Sequence, residues 1–417
     1  MSEALKDRLF WYQAAGQTLC SWDSALPFER LSPPIAQDQR VFFLCQRERD
    51  NSRAAFAVSH PGQLLARTED YTWLDSQSLP QANPGPEIAG LIEKRLLTAV
   101  NRTYPRWQTL LKPAPARPKL RLNLLAVGDV GGMLLTGLKL LGADLLDSIG
   151  IYDLNQAAAA RWEYELNQVA WPGDYQALPR VETIGPNDLF ACDVFVFCAS
   201  AGVPPLGAAV RDVRLAQYEK NAAIISAYGA QAAAGNFSGL FAVVSDPVDQ
   251  LCQAAYQAGV GGLFPEQIVG YGLGVMNARA AYFAQKDSRF ASFLREGRAY
   301  GPHGQGLVIA NSLADYQDAL SQELTRLSLT ANLKAREMGF KPYIAPALSS
   351  GALSLLLTLR GEWHYSATRL GRVWLGARNR QLPAGIELET RPLPAALMRR
   401  LAETYAGLAA FEPGGPS

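Results

Sequence analysis

The 417-residue sequence contains three histidines, which narrows the choice of a proton-transfer group working near neutral pH. His60 falls in SHPG, a turn, and His364 in GEWHYS, just after a helical stretch, where a surface or packing role is the simplest reading. His303 falls in YGPHGQG, whose flanking glycines let backbone and imidazole crowd a bound substrate, so it is the candidate acid–base group. A second pattern runs from 121 to 155, RLNLLAVGDVGGMLLTGLKLLGADLLDSIGIYDLN: an apolar strand, a glycine loop, a helix carrying Leu134, Leu138 and Leu141, and a second strand ending in Asp153. That order is what a dinucleotide-binding βαβ unit requires. Gly128, Asp129, Val130, Gly131 and Gly132 form a loop that turns sharply and lets a pyrophosphate approach the backbone and the helix N-terminus. Asp153, 21 residues past Gly132, is placed to accept hydrogen bonds from the ribose hydroxyls, and its charge favours NAD over NADP.

The elements around these residues alternate. From 120 onward LNLLAV, GIYDL, DVFVFCA and FAVVS read as short apolar strands separated by helical segments, which implies a doubly wound parallel sheet of Rossmann type within an α/β fold. After about residue 265 the pattern changes to helices near 313 to 338 and 343 to 360 and strand-like RVWLGA and GIELETR, an α+β catalytic lobe. Before the alternation stands an additional α+β region with strand-like VFFLC (41 to 45) and AAFAVS (54 to 59) and a helix predicted over 87 to 100. KPAPARPK, 112 to 119, closes that region as a linker, because three prolines in eight residues cannot continue a helix or a central strand. The expected domains are therefore 1–118, 119–264 and 265–417.

Composition sets bounds on partners and location. With 39 basic and 38 acidic side chains there is no net field to attract nucleic acid or an anionic membrane, and 48% apolar against 18% charged residues suits a well-buried enzyme. The N-terminal MSEALKDRLFWYQ mixes charges into its apolar positions, and no run reaches the roughly 20 apolar residues of a membrane span. Five scattered cysteines lack metal-ligand spacing, so no metal site and a reducing cytoplasm are expected; Cys192 and Cys198 flank the run DVFVF as buried thiols.

From about 120 to 410 the sequence resembles the lactate/malate dehydrogenase superfamily. The likeness starts at the glycine loop and Asp153 and continues through CASAGVP (198 to 204), which matches the segment beside the nicotinamide ribose and brings in Ala199, Ala201 and Gly202. Asn221 in EKNAAII matches the asparagine that opens the next helix, SDPVD (245 to 249) is similar to the family's NPVD, and GYGLGVMNAR (270 to 279) resembles the segment that ends in the substrate-binding arginine. The interval from Arg279 to His303 matches the family's spacing between that arginine and its catalytic histidine. The resemblance implies NAD as cofactor, Arg279 holding a substrate carboxylate through two parallel hydrogen bonds, and His303 moving the proton. It also implies a homo-oligomer, dimer or tetramer.

Four positions depart from the family pattern, all at the reacting centre. The histidine's carboxylate partner is replaced by Met276, the asparagine of NPVD by Asp246, the active-site threonine or serine by Lys341, and the specificity position after AGVP holds Pro205. Asp246 is placed to supply the missing charge either to His303 or to Lys341; alternatively it bonds its own turn while Lys341 points to solvent. The family's lid arginine falls on Arg211 by spacing from AGVP and on Arg214 by spacing back from Asn221. Three functions stay open: an NAD-dependent oxidoreductase of small 2-hydroxy or 2-oxo acids, a related NAD-using enzyme with a changed substrate, and a catalytically degenerate NAD-binding protein, which Met276 would favour.

Overall fold

The computed structural model describes residues 9–32, 38–112, 119–201 and 213–411, the side chains of 213–216 excepted. Most of the proline segment, with Gly202, Pro205 and Arg211, lies outside these residues, as does the side chain of Arg214. The described chain forms two compact units. The first takes the residues up to 112 together with Leu370–Arg372 and Asn379–Leu393, and the second takes the rest.

The first unit is built on a mixed six-stranded sheet of β1 (Phe10–Ala14), β2 (Gln17–Ser21), β3 (Glu29–Leu31), β4 (Val41–Cys45), β5 (Ala55–Ala57) and β6 (Leu97–Asn101) in the order β3-β1-β2-β4-β6-β5. Two helices, α1 (Gly62–Leu65) and α2 (Pro86–Glu93), lie between β5 and β6. Tyr12, Leu19, Phe42, Leu44 and Val100 fill its core. The helix expected over 87 to 100 is corrected here. It stops at Glu93, Arg95 takes a left-handed φ of 58°, and LTAVN becomes the fully buried strand β6. The sheet, which pairs β6 with both β4 and β5, overrides the helical pattern of the preceding residues.

In the second unit the alternation appears as β7 (Leu120–Leu125), α3 (Asp129–Leu141), β8 (Leu146–Tyr152), α4 (Gln156–Leu166), β9 (Arg180–Thr183), β10 (Val194–Phe197), α5 (Val213–Ala234), β11 (Leu240–Val243), α6 (Val248–Ala258) and β12 (Ile268–Gly270). These six strands pair in parallel in the order β9-β8-β7-β10-β11-β12. Continuous apolar runs such as Val194 to Phe197, almost without solvent exposure, are what a parallel sheet covered on both faces demands. The strand order reverses between β7 and β10, and in open sheets of this kind the crevice at the carboxyl ends there is where ligands bind.

The remainder of the unit comprises α7 (Leu273–Lys286), α8 (Phe293–Glu296), the hairpin β13 (Arg298–Tyr300) and β14 (Val308–Ala310), α9 (Asp318–Glu337), a π-helix (Pro346–Leu353) running into α10 (Ser354–Arg360), β15 (His364–Leu370), β16 (Val373–Leu382) and, after β17 (Gly385–Leu388), α11 (Ala395–Ala409). β15 extends the parallel sheet antiparallel to β12. The far half of β16 pairs with β17 inside the first unit. The segment expected as one helix over 343 to 360 is a π-helix for its first eight residues. That wider turn presents small residues to two neighbours: a Cβ on Gly137 of α3 would stand 2.7 Å from Ala352, and one on Gly274 of α7 would stand 3.0 Å from the Cα of Ser350. Ser350 also accepts from Val275 N–H and donates to Gly272 O, so the π-helix ties the start of α7 to the helix that follows the glycine loop.

Among the described residues, no helix is long and apolar enough to cross a membrane.

Candidate active site

The loop after β7 fits a dinucleotide, and its glycines divide the work. A Cβ on Gly131 would lie 2.0 Å from the carbonyl oxygen of Ala126, and one on Gly132 would lie 2.2 Å from the indole of Trp162. Both therefore exist for close packing of α3 on its strand and on α4. Gly128 has nothing within 4 Å of where a Cβ would stand, and so leaves open backbone at the helix N-terminus, where an anion can approach. Asp153, just beyond the end of β8, accepts from Val127 N–H at 2.8 Å through Oδ2 and from Asn155 N–H at 2.8 Å through Oδ1. Each oxygen keeps a lone pair for ribose hydroxyls.

Asp129 adds a charge to this loop that a phosphate would resist, and Lys341 neutralises it. Lys341 Nζ lies 2.8 Å from Asp129 Oδ2, with the lysine side chain 80% exposed. Of the placements weighed for Lys341, the structure gives the solvent-facing one: it reaches neither His303 nor Asp246 by any hydrogen bond or ion pair, because its Nζ is engaged at the glycine loop. The segment 338–344 sits at the surface and turns the lysine side chain toward α3.

Across the switch point, the stretch after β10 is braced by Asn221. This fully buried side chain accepts from Ala201 N–H at 2.8 Å and donates to the carbonyl oxygen of Asp246 at 2.8 Å. Its polar atoms are occupied within the protein, fixing the backbone of Ala199 to Ala201 against the SDPVD turn. Cys198, at the same strand end, is no nucleophile, because burial pushes its thiol up to about 12.

His303 lies at the tip of the β13–β14 hairpin. Gly301, at φ +85°, donates its N–H to Gly376 O on β16, and Thr404 of α11 donates to Gly306 O, so both ends of the tip are pinned. A Cβ on Gly272 would stand 2.7 Å from the Cβ of His303, so glycine is what admits the histidine beside α7. The imidazole Nδ1 lies 3.0 Å from Asp246 Oδ1, with side-chain exposures of 17% and 51%. Burial pulls the imidazole pKa down, but the charge and hydrogen bond of Asp246 outweigh it, with Asp249 adding and Arg279 opposing, and the result lies above the usual value.

Met276, three residues before Arg279 on α7, is 3% exposed, and its sulfur accepts from Arg279 Nη1 at 3.6 Å. The same nitrogen donates to Ser328 O at 3.3 Å. Burial works against the charge of Arg279, and Asp246 works for it, which brings this guanidinium into the field of the His303–Asp246 pair. One acid thus faces both a histidine and an arginine.

Asp249 was not singled out by its motif. It lies one turn into the site, 4% exposed, with burial raising its carboxyl to about 7. A signal was present: in VDQLC, Asp249 falls on the stripe that leads to Cys252, an acid on the buried face of an amphipathic helix. His364, read as surface or packing, is a packing residue. It is 3% exposed, bonds Thr358 and Ser366, and stacks on Tyr271.

No family model matches the sequence. The chain is 27% identical over 193 residues to L-lactate dehydrogenase of Bacillus licheniformis, covering 44% of this chain and 54% of that protein. It is 25% identical over 213 residues to L-lactate dehydrogenase 2 of Peribacillus psychrosaccharolyticus, covering 49% and 60%. The matched part thus spans a little over half the length of these curated relatives. Among solved structures, a minor L-lactate dehydrogenase from Enterococcus mundtii superposes with a TM-score of 0.59 at 18% identity, covering 70% of this chain and 98% of that one. The malate dehydrogenase from Aeropyrum pernix gives 0.57 at 17%, covering 69% and 96%. The fold is that of the lactate/malate dehydrogenases, a Rossmann domain followed by a catalytic domain. The resemblance to that superfamily drawn from the motifs holds, at low identity.

Proposed function

We propose that the protein is an NAD-dependent oxidoreductase that interconverts a small 2-hydroxy and 2-oxo carboxylic acid. The observation that carries this reading is the convergence of His303, Asp246 and Arg279 at the sheet's switch-point side, with Asp246 standing in for the acid that Met276 has displaced. The glycine loop at Gly128 and, across α3 and β8, Asp153 would hold NAD, which when bound supplies the nicotinamide that takes or gives hydride.

The chain's own part follows from its donors and acceptors. With Nδ1–H donated to Asp246, the neutral imidazole presents the Nε2 lone pair as base toward a substrate hydroxyl; protonated, it presents Nε2–H to a carbonyl oxygen. The Asp246 carboxylate fixes that tautomer and stabilises the cation as it forms. Arg279 would hold the carboxylate of the substrate through its fork and so place the adjacent carbon beside His303. Lys341, with Asp129, would belong to the dinucleotide loop. Arg211 is proposed as the lid arginine only by spacing. Assembly as a dimer or tetramer is the expectation carried over from the family resemblance.

The test is NADH oxidation against a panel of 2-oxo acids, with His303→Asn as control. Turnover on at least one acid, abolished in the variant, is expected. Tight NADH binding without turnover on any of them would instead support the reading as a degenerate NAD-binding protein, which the methionine at position 276 favours.

A further inference from the structure

The helix that carries Arg279 starts at a residue that cannot cap it. The first N–H groups of any helix lack intrahelical acceptors, and a serine, threonine, asparagine or aspartate at the cap ordinarily supplies one. α7 has Gly272 there, with no side chain to accept. Glycine is required at this point, because a Cβ would stand 2.7 Å from the Cβ of His303 and 3.0 Å from Val248 Cγ2. The residue that lets the histidine pack beside the helix start is thus the one that leaves the helix uncapped.

Ser350 makes up that loss from another element. Its Oγ accepts the N–H of Val275, the third residue of α7, at 2.8 Å and donates to the carbonyl oxygen of Gly272 at 2.7 Å. The first bond is the one a cap side chain makes, to the third helical residue. The second fixes the glycine itself. Ser350 is 2% exposed, so solvent does not compete for either bond. The π-helix, Pro346–Leu353, brings the hydroxyl within reach: a Cβ on Gly274 would stand 2.6 Å from Ser349 O and 3.0 Å from Ser350 Cα, so the two backbones meet closely there. Such wide turns are rare and recur where function needs them.

We propose that Ser350 is a positioning residue, which caps α7 from the π-helix and thereby holds Gly272 as the wall beside which His303 meets Asp246. This rests on the reading of His303 as the acid–base group, but its test does not need turnover. The groups whose charge bears on His303 are Asp246 on the turn before α6, Asp249 in the first turn of α6 and Arg279 on α7. Arg279 rides on the capped helix and opposes the imidazolium, so the His303 pKa alone would mix two displacements. The drop in that pKa caused by Asp246→Asn isolates the pair.

The experiment reads this drop by NMR of imidazole-labelled full-length protein, the three histidine signals being assigned by single His→Gln variants. It is measured in wild type, Ser350→Ala, Ser350→Cys and Ser21→Ala. Ser21 is the matched control: 2% exposed in the first unit, it too accepts one main-chain N–H, from Asp23, and donates to one carbonyl oxygen, that of Leu44. In Ser21→Ala the drop is expected to equal that of wild type. In Ser350→Ala it is expected to shrink to less than half, and in Ser350→Cys, whose thiol keeps the volume but bonds weakly, to an intermediate value. If the alanine variant does not fold, the cysteine variant decides, and a full drop there overturns the proposal. A drop that is full in Ser350→Ala, one that shrinks as much in Ser21→Ala, or none in wild type overturns it as well. Absence of NADH turnover in a wild type that shows the drop bears only on the dehydrogenase reading.

Discussion

His303 Nδ1 meets Asp246 Oδ1 at 3.0 Å, a pairing between residues 57 apart in sequence, while the position from which the family supplies that acid is filled by Met276. The carboxylate beside His303 lies on the turn that precedes α6, whereas the helix that carries Arg279 places Met276 three residues before it. Asp246 also faces Arg279, so one carboxylate serves the proposed proton-transfer group and the proposed carboxylate binder.

Removing that charge should be costly. Asp246→Asn keeps the shape, but the imidazolium loses its counter-charge, and kcat is expected to fall by about 10²-fold or more. Steady-state kinetics on the best 2-oxo acid would check this, and an unchanged kcat would contradict the pairing's role.

Arg279→Lys should separate fork from charge. Lysine retains the positive charge beside Asp246 but loses parallel donation to a carboxylate. A loss of about 2 kcal/mol, roughly 30-fold in kcat/KM, is expected, with weaker substrate binding.

The glycine loop gives opposite expectations for two of its glycines, three residues apart. Gly131→Ala drives a Cβ into the Ala126 carbonyl, so the protein should lose about 1–3 kcal/mol of stability, seen as a lowered Tm. Gly128→Ala meets nothing within 4 Å and its φ of −68° suits any residue, so Tm should hold while NADH affinity, read by fluorescence titration, falls.

Lys341→Ala removes a solvent-exposed pair, so Tm should stay essentially unchanged. Because Lys341 is spent on Asp129, the titration of His303 should not move. A shifted His303 pKa in this variant would restore the catalytic placement suggested by alignment.

His364 predicts a pH dependence of stability. Burial holds its imidazole near 4, against about 6.5 when unfolded, so between those values the unfolded chain binds the extra proton. This residue's contribution is present above about pH 6.5 and is lost as the pH falls toward 4. Denaturant titrations at several pH values, compared with His364→Gln, would reveal it as a slope absent from the variant.

Much of this was legible in the residues because parallel strands and glycine loops write themselves locally. Leu122 to Leu125 and Val194 to Phe197 announce buried strands, and Gly128 to Gly132 announce the turn. Other features depend on partners far along the chain. LTAVN follows a helix without a break in apolar pattern, and only pairing with β4 and β5 makes it a strand. The Asp246 alternatives were visible in SDPVD, but the choice between His303 and Lys341 was made by the hairpin tip and by Asp129, 57 and 212 residues distant from their partners. The burial of Asp249 is not legible in the residues, because an acid in a helix's first turn reads as an ordinary complement to the helix dipole.

The most direct measurement is the pH profile of kcat/KM for oxidation of the 2-hydroxy acid by wild type and Asp246→Asn. Oxidation needs neutral His303, so the rate should rise as pH passes through an imidazole pKa held above its usual 6.5, and in the variant that rise should move to lower pH. Coincident profiles would contradict the claim that Asp246 is the histidine's acid.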